Sequence, residues 1–326
     1  MTQRDDHLQN TEAFIAGKQD TLHMYSGLCD GHMEVTGYYI LPGVYLVYND
    51  IHTQIVANDN QGLSKDILLI NYCEKGRCEF KTFDDRCHYI EGGMINASAQ
   101  MVQDSFYYPS SFYQGYEIYI LCAAFTEQTY TILGNFEISP DVLLERYDKG
   151  AAGFVSEKLL KVWKQLSEYF RRKDIGQIRL EVLRILKMIQ DQPMSMAAAN
   201  CYLSKGQAVL AKKAHEILTE DLSRHISVKT IAAGLGVSET SLKRYFRMVY
   251  GAGVAAYMNT RRMQYATELL AEGKMSISDI AKACGYVNQG RFAKVFREYY
   301  GMKPLDYRRV KREERIEKIS GLGDEH

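Results

Sequence analysis

The sequence predicts an α+β protein in two parts, an all-β part with trailing helices followed by an all-α part. Short runs rich in Tyr, Val, Ile and Phe, separated by Gly, Asn and Asp, fill residues 25–125 and are typical of strands. From residue 156 onward the apolar residues recur at helical spacing. Near the C-terminus two stretches repeat the order helix, tight turn, helix.

The strands follow a polar segment, residues 1–24, that shows little periodicity. They are predicted at residues 38–40, 44–48, 67–72, 77–83 and 118–125. Turns containing glycine are predicted at residues 74–76 and 91–93. Many short strands at this spacing favour a small β-barrel or sandwich.

The histidines of the β part do not suggest a metal site. A metal-binding barrel usually holds its metal with a close pair of histidines and a carboxylate. No such spacing links the four histidines of this region, His23, His32, His52 and His88. We therefore expect no metal and no other cofactor, and a barrel that binds a ligand rather than catalyses a reaction.

Tyrosines are frequent in the β part, and Tyr45, Tyr72 and Tyr89 are candidate ligand contacts. An aromatic ring with a polar tip can stack on another ring and form a hydrogen bond at once, which suits a ligand pocket. Tyrosine is also a favoured residue of ordinary strands, so a structural role stays open for each of the three.

Two amphipathic helices are predicted after the strands, at residues 156–170 and 175–189. Their apolar stripes include Leu159, Trp163, Leu166, Leu183 and Leu186. Such stripes must be buried on the barrel, on each other or on a second copy of the chain. Pro193 and the loss of a clear stripe place a linker at residues 191–205.

The clearer repeat of the all-α part runs from Ser276 to Arg308. Gly285 supplies the conformational freedom that a tight turn needs, and Asn288 is a good N-cap for the helix that follows. In that helix the inward residues are Phe292, Val295 and Phe296, and the outward residues are Gln289, Arg291, Lys294 and Arg297. The pattern is that of a helix-turn-helix with a basic outer surface.

The same pattern occurs earlier, from Ser227 to Gly251. Ile231, Ala232 and Gly236 recur 49 residues later as Ile280, Ala281 and Gly285, and Leu242, Phe246 and Gly251 recur 50 residues later as Phe292, Phe296 and Gly301. The second turn therefore carries one extra residue. A helix over residues 255–270 joins the two units, so the repeat predicts one domain with two helix-turn-helix units.

Residues 207–309 resemble the AraC/XylS family of transcriptional regulators. The matching positions are Arg261, Arg262, Met263, Ala266, Leu269, Leu270, Ile280, Ala281, Gly285, Tyr286, Arg291, Phe292, Val295, Phe296, Gly301, Pro304, Tyr307 and Arg308. The resemblance implies a sequence-specific regulator that binds double-stranded DNA. It also implies a cupin-like barrel upstream, a homodimer formed through the helical pair at 151–190, and RNA polymerase as a partner if the protein activates transcription.

The charge distribution supports binding to DNA although the formal net charge is zero. From residue 205 to the end there are 22 Lys and Arg against 14 Asp and Glu, a net charge of +8. The first 204 residues carry the opposite excess, −8. A basic C-terminal part suits phosphate contacts, and an acidic N-terminal part does not. This asymmetry motivates the hypothesis that a small-molecule effector in the barrel controls DNA binding.

The outward residues of a recognition helix reach base edges in the major groove. We predict contacts to bases or adjacent phosphates from Glu239, Thr240, Lys243, Arg244, Gln289, Arg291 and Lys294. Phosphate contacts are predicted for Ser227, Arg247, Arg261, Arg262, Ser276, Asn288 and Arg297. The joining helix is expected to hold the two recognition helices about 34 Å apart, one turn of DNA.

The seven cysteines contain no CxxC motif, and their odd number without a signal peptide predicts a reduced, cytoplasmic protein. No apolar run is long enough to cross a membrane. The predicted boundaries are 1–24 polar segment, 25–150 β domain, 151–190 helical dimerisation segment, 191–205 linker, 206–310 DNA-binding domain and 311–326 charged tail. Two alternatives stay open: a metal-dependent cupin enzyme tethered to DNA, and a protein-interaction sensor with secondary DNA binding.

Overall fold

The computed structural model describes residue 14 and residues 17–28, 31–57, 67–81, 85–99, 105–147, 152–192 and 202–321. The chain divides into two compact units, Met1–Lys205 and Gly206–His326. Much of the predicted N-terminal segment and of the predicted linker, and the last residues of the predicted charged tail, lie outside the described residues. The fold is α+β, as the sequence predicts.

The first unit is built on antiparallel strands. They are β1 (Thr21–Leu28), β2 (Gly31–Leu41), β3 (Val44–His52), β4 (Ile55–Ala57), β5 (Ile67–Lys81), β6 (Arg86–Glu91), β7 (Ile95–Ser98), β8 (Ser105–Tyr107), β9 (Tyr113–Leu121), β10 (Ala152–Phe154) and β11 (Tyr202–Ser204). The main strand order is β1-β2-β3-β9-β5-β6-β11. The sheet therefore begins before the predicted boundary at residue 25, and β11 pairs with β6 inside the predicted linker.

Strand β5 continues through residues 74–76, so the turn predicted there is wrong. The register against β9 shifts between Cys73 and Lys75, which is a β-bulge. Gly76 has a φ of +83°, and a Cβ at this position would lie 2.2 Å from the carbonyl oxygen of Phe112. Glycine therefore lets the strand bend without reversing. The turn predicted at residues 91–93 is confirmed, because β6 ends at Glu91 and β7 begins at Ile95.

Helices follow the strands in the first unit. Beyond a 3-10 turn at Cys122–Ala124 they are α1 (Glu127–Asn135), α2 (Pro140–Tyr147), α3 (Glu157–Arg172) and α4 (Ile175–Asp191). Helices α3 and α4 are predicted by the sequence, whereas α1 and α2 are not. With 9 and 8 residues, these two helices have too few turns for a helical period to stand out. Thr126 and Thr129 form a capping box at the start of α1.

Alternation along β5 separates two faces of the sheet. Leu68, Ile70 and Tyr72 face the core that also contains the apolar stripes of α3 and α4. Leu69 and Cys73 face a second cluster, called here the inner core. The buried members of the inner core are Ile51, Leu69, Cys73, Cys78, Phe80, Ile90, Tyr108 and Tyr113.

The five residues predicted to form a dimer interface lie inside the first unit. Leu159, Trp163, Leu166, Leu183 and Leu186 are all buried in the core between the helices and the sheet. The Trp163 ring stacks on Tyr72, with ring centroids 5.2 Å apart. The prediction is wrong because side chains buried in their own subunit cannot also contact a second copy.

The three candidate ligand tyrosines do not share one site. Tyr72 faces the helices, and Tyr89 donates a hydrogen bond from its hydroxyl to the buried Glu79 carboxylate. Tyr45 lies in a separate cluster, where its ring packs against Phe14. Burial raises the pKa of all three phenols. The three tyrosines thus lie in three different surroundings, and Tyr72 and Tyr89 pack against or hydrogen-bond to other side chains of the protein.

The second unit consists of helices. They are α5 (Lys205–Thr219), α6 (Val228–Gly234), α7 (Glu239–Tyr250), α8 (Val254–Glu272), α9 (Ile277–Ala283), α10 (Gln289–Tyr300) and α11 (Pro304–Gly321). The pairs α6–α7 and α9–α10 are the two predicted helix-turn-helix units, and α8 joins them. Helix α11 continues to Gly321, so most of the predicted charged tail is helical.

We predict that Trp163→Ala lowers the free energy of unfolding of the first unit by about 3–5 kcal/mol, the usual cost of removing a fully buried Trp. Chemical denaturation followed by circular dichroism measures this change. Val142→Ala is the control, since Val142 lies on α2 and is 47% exposed. Dissociation of a dimer by Trp163→Ala with no loss of stability would contradict the packing described here.

Candidate nucleic-acid interface

In the first helix-turn-helix unit, α6 and α7 meet at a turn in which Gly236 has a φ of +70°. Leu242 and Phe246 bury one face of α7. The opposite face exposes Thr240, Lys243, Arg244 and Arg247. The predicted outward orientation of these side chains is therefore found, whereas their contacts with DNA stay a prediction.

The second helix-turn-helix unit, formed by α9 and α10, has the same construction. Gly285 has a φ of +78° in the turn, and the Asn288 side chain caps α10 by accepting hydrogen bonds from the backbone of Gly290 and Arg291 at 2.7 and 3.2 Å. Phe292 and Phe296 are fully buried. The exposed residues of α10 include Gln289, Arg291, Lys294 and Arg297. One face of this helix thus offers amide and cationic donors.

Three of the predicted contacts cap helices instead of standing free. Asn288 caps α10, and the Ser227 hydroxyl accepts from the Thr230 N–H at 3.1 Å. Ser276 accepts from the Asp279 N–H at 3.1 Å and donates to the Asp279 carboxylate at 2.6 Å, which lowers the pKa of Asp279. A negative charge against this hydroxyl repels a phosphate. The structure thus argues against Ser276 as a phosphate contact.

Neighbouring side chains already contact two of the predicted base readers in α7. Lys243 forms an ion pair with Glu239 one turn earlier, and the Arg244 guanidinium lies 5.1 Å from the centre of the Tyr245 ring. Exposed ion pairs of this spacing stabilise a helix by only about 0.3–0.5 kcal/mol. The Glu239–Lys243 pair can therefore be exchanged for contacts to DNA at little cost.

Arg262 does not match its predicted role as a phosphate contact. Its side chain is 6% exposed, and burial lowers the pKa of its guanidinium. The guanidinium donates to the carbonyl oxygens of Leu222 and Arg224, at 2.9 and 3.1 Å. These carbonyls precede the first helix-turn-helix unit in the chain. The prediction is wrong because the donors of Arg262 serve the protein's own backbone.

The contacts around the Arg262 guanidinium also join the two helix-turn-helix units. His225 Nε2 lies 2.8 Å from the carbonyl oxygen of Gly285, in the turn of the second unit, and His225 Nδ1 lies 3.3 Å from a guanidinium nitrogen of Arg262. A Cβ at Gly285 would lie 2.9 Å from the carbonyl oxygen of Leu222. We call this contact of Leu222, Arg224, His225, Arg262 and Gly285 the inter-unit joint. It connects the segment before α6, the joining helix and the second turn.

Three other arginines predicted to contact phosphates have different surroundings. Arg247 and Arg297 are exposed on the last turns of α7 and α10. Arg261 is half-buried and donates to the Gln264 side chain at 3.1 Å. The exposed pair is thus sterically free to reach a phosphate, whereas Arg261 has a partner within its own helix.

Val287 is an interface candidate that the sequence does not reveal. An apolar residue just before an N-cap usually packs against the helix it precedes. Instead, the Val287 side chain is fully exposed beside the first turn of α10. An exposed methyl group in this position can contact the methyl group of thymine.

The aromatic cores of the two helix-turn-helix units have the same arrangement of side chains. In the first helix-turn-helix unit, the rings of Phe246 and Tyr250 pack with that of Tyr257 on α8. In the second helix-turn-helix unit, the rings of Phe296 and Tyr300 pack with that of Tyr307 on α11 in the same way, 50 residues later. Arg308 also donates to a backbone carbonyl ahead of the second unit, that of Met275 at 2.8 Å. The sequence repeat is thus a structural repeat.

Comparison with known proteins agrees with this construction. Residues 231–310 match the family described as "Helix-turn-helix domain". The chain is 30% identical over 137 residues to the virulence regulon transcriptional activator VirF of Yersinia enterocolitica, covering 42% of this chain and 49% of that protein. It is 33% identical over 93 residues to the regulatory protein SoxS of Salmonella typhimurium, covering 28% of this chain and 87% of that protein. The chain belongs to the AraC/XylS family.

The matches are partial for the larger relatives, since the chain spans about half the length of VirF. A solved structure of an AraC-type regulator from Chromobacterium violaceum is 25% identical, covers 32% of this chain and 95% of that chain, and has a TM-score of 0.30. Within the described residues, no helix has the length and apolar composition needed to cross a membrane. The same residues include no group of three or more His, Cys, Asp or Glu able to hold a metal ion.

We predict that Arg262→Ala lowers the free energy of unfolding of the second unit by about 2–4 kcal/mol, because a buried side chain and its charge-assisted hydrogen bonds to two backbone carbonyls are lost. Urea unfolding followed by circular dichroism measures the loss. The single Trp of the chain, Trp163, lies in the first unit, so its fluorescence should be unaffected. Arg309→Ala, at an exposed position of α11, is the control. Full stability with equal loss of affinity for all DNA would restore the phosphate role.

Proposed function

We propose that the protein is a sequence-specific, DNA-binding transcriptional regulator that reads DNA with α7 and α10. The repeated helix-turn-helix carries this proposal, because both copies bury the same aromatic core and expose the same face of the second helix. The net charge of +8 over residues 205–326 supports binding to a phosphate backbone. Family membership favours this function over a metal-dependent enzyme.

Each exposed reader has a chemical preference. Arg291, Lys294, Lys243 and Arg244 can donate to the O6 and N7 acceptors of guanine, and Gln289 suits adenine. Glu239 can accept from the amino group of cytosine when its ion pair with Lys243 opens. Arg247 and Arg297 are placed one or two turns later, where a helix in the major groove meets the backbone.

The role of the first unit belongs to the same proposal. A cupin-like barrel with a small-molecule effector would change DNA binding only if the effector has different affinity for two states of the protein. A homodimer would use outward residues of α3 and α4, such as Leu180, since the apolar stripes are buried. RNA polymerase is a further partner if the regulator activates transcription, and a cytoplasmic location follows from these functions.

The first experiment is selection of bound sequences from random duplex DNA by the full chain at two salt concentrations. We expect a motif with two conserved segments about one helical turn apart, one for each recognition helix. Affinity should fall steeply as salt rises, because bound counterions are released from the phosphates. Salt-dependent binding without any recovered motif would contradict sequence-specific reading.

We predict that Lys294→Ala and Arg297→Ala, both on α10, have different effects. Lys294→Ala should cost about 1–3 kcal/mol on the selected site and relax the preference at one or two base pairs. Arg297→Ala should weaken binding equally on all sequences and reduce the salt slope by about one. Titration of the selected site and of point variants of that site measures both effects. Equal loss on all sequences for Lys294→Ala would make Lys294 a phosphate contact.

A further inference from the structure

The inner core of the first unit contains a row of buried polar side chains from four strands. Asn71 of β5 is the register partner of Glu117 on β9 and of Asn96 on β7, so the three lie side by side on one face. His88 of β6 continues the row, since its Nε2 lies 3.1 Å from Asn96 Oδ1. Asn71 and Asn96 are 0% exposed, His88 3% and Glu117 7%. We call Glu117, Asn71, Asn96 and His88 the polar row.

Glu117 brings a carboxylate into the apolar inner core with only neutral partners among the described residues. Asn71 Nδ2 donates to its Oε1 at 2.7 Å, and the Tyr119 hydroxyl donates to its Oε2 at 2.6 Å. The Asn49 side chain is a third hydrogen-bond partner. Burial raises the pKa of Glu117, and these hydrogen bonds oppose that shift. A cationic partner would stabilise the ionised form further.

The opposite end of the row offers another acceptor. Burial lowers the pKa of His88 to about 4, so its ring is neutral under ordinary conditions. The Asn96 oxygen can only accept, so His88 Nε2 is the donor of their hydrogen bond. His88 Nδ1 then carries no proton and is an acceptor.

Four buried atoms at this row find no hydrogen-bond partner within the described residues: Asn71 Oδ1, Asn96 Nδ2, His88 Nδ1 and the Tyr113 hydroxyl. The Tyr113 hydroxyl points toward the row, because it lies 2.4 Å from where a Cβ of Gly115 would stand. Gly115 is the inward residue of β9 that precedes Glu117. Buried polar atoms are rarely left unpaired, so four together indicate a built site rather than a packing accident.

The hydrogen-bonding atoms of the polar row and the apolar side chains around it indicate which chemical class of ligand fits. Three groups of the site accept, namely Asn71 Oδ1, His88 Nδ1 and the Glu117 carboxylate, whereas Asn96 Nδ2 donates. An ammonium group has three donors and no acceptor, so it matches the three accepting groups. An anionic ligand would instead be repelled by Glu117. Ile51, Leu69, Phe80, Ile90 and Tyr108 supply an apolar and aromatic surround. The Phe80 ring also stacks on the His88 ring, with centroids 5.4 Å apart.

We propose that the polar row binds an organic ammonium ion, a small primary amine with an apolar or aromatic body, as the effector of this regulator. The ammonium pairs with Glu117 and donates to Asn71 Oδ1, and the hydrocarbon body lies against the inner core. This inference rests on the proposed function, since it names the ligand class for the effector site. It places the site at Glu117, Asn71, Asn96 and His88 instead of at Tyr45, Tyr72 and Tyr89.

The test uses the full chain and three probes of one shape: phenethylamine, phenethyl alcohol and phenylacetate. Calorimetry at neutral pH should show binding of the amine in preference to the alcohol, and no binding of the acid. The amine should also raise the unfolding temperature of the first unit. Glu117→Gln keeps the shape of the side chain and removes its charge, so it should weaken amine binding about tenfold to a hundredfold.

Glu181→Gln is the matched control, since Glu181 is a buried glutamate on α4, outside the polar row. Equal binding of the amine by wild type and Glu117→Gln would overturn the proposal, as would equal binding of the acid or no binding of the amine. In the last case the row is satisfied by water. If Glu117→Gln does not fold, the wild-type preference between amine and acid decides alone.

Selection of DNA sequences by the same preparation separates this proposal from the proposed function. A recovered motif without amine binding leaves the DNA-binding function intact and removes the ammonium effector. Amine binding without any motif would retain the site and contradict sequence-specific reading.

Discussion

The Arg262 guanidinium is the interaction on which the DNA-binding unit depends most. In the inter-unit joint, the guanidinium donates hydrogen bonds to two backbone carbonyls that precede α6. His225, in the same segment, contacts the turn of the second helix-turn-helix unit. The long joining helix alone would fix only the distance between the two helix-turn-helix units. The joint also fixes their rotation about that helix, because it ties one unit to the turn of the other. Both recognition helices are thus oriented before DNA is present, which lowers the entropic cost of binding.

The first unit uses one sheet for two different purposes. The face under α3 and α4 is mainly apolar and includes the fully buried Trp163, so its burial stabilises the first unit. The inner face carries the polar row, which is costly to bury unless each polar atom has a partner. The stabilising apolar core and the polar row therefore lie on opposite faces of the same strands. Substitutions on one face should thus have little effect on the other.

The sequence predicts those features that depend on neighbouring residues. The cap at Asn288, the turn at Gly285 and the inward Phe292 all follow from local spacing, and the structure has them as predicted. The stripes of α3 and α4 are also visible, but their partner is not, because burial on a sheet or on a second copy gives the same pattern. Arg262 is misassigned for a related reason: the carbonyls it binds lie 38 and 40 residues away in the chain. The polar row comes from separate strands, and its one local signal is Asn71 within the apolar run 67–73.

The bulge in β5 changes which residues face inward along a single strand. Before it the inner core receives the odd-numbered Leu69 and Cys73, and after it the even-numbered Cys78 and Phe80. The extra residue therefore reverses the alternation, and both halves present apolar side chains to the same interior. Loss of one residue here would turn one half of the strand inside out. The number of residues in β5 is therefore constrained as strictly as the side chains that the strand buries.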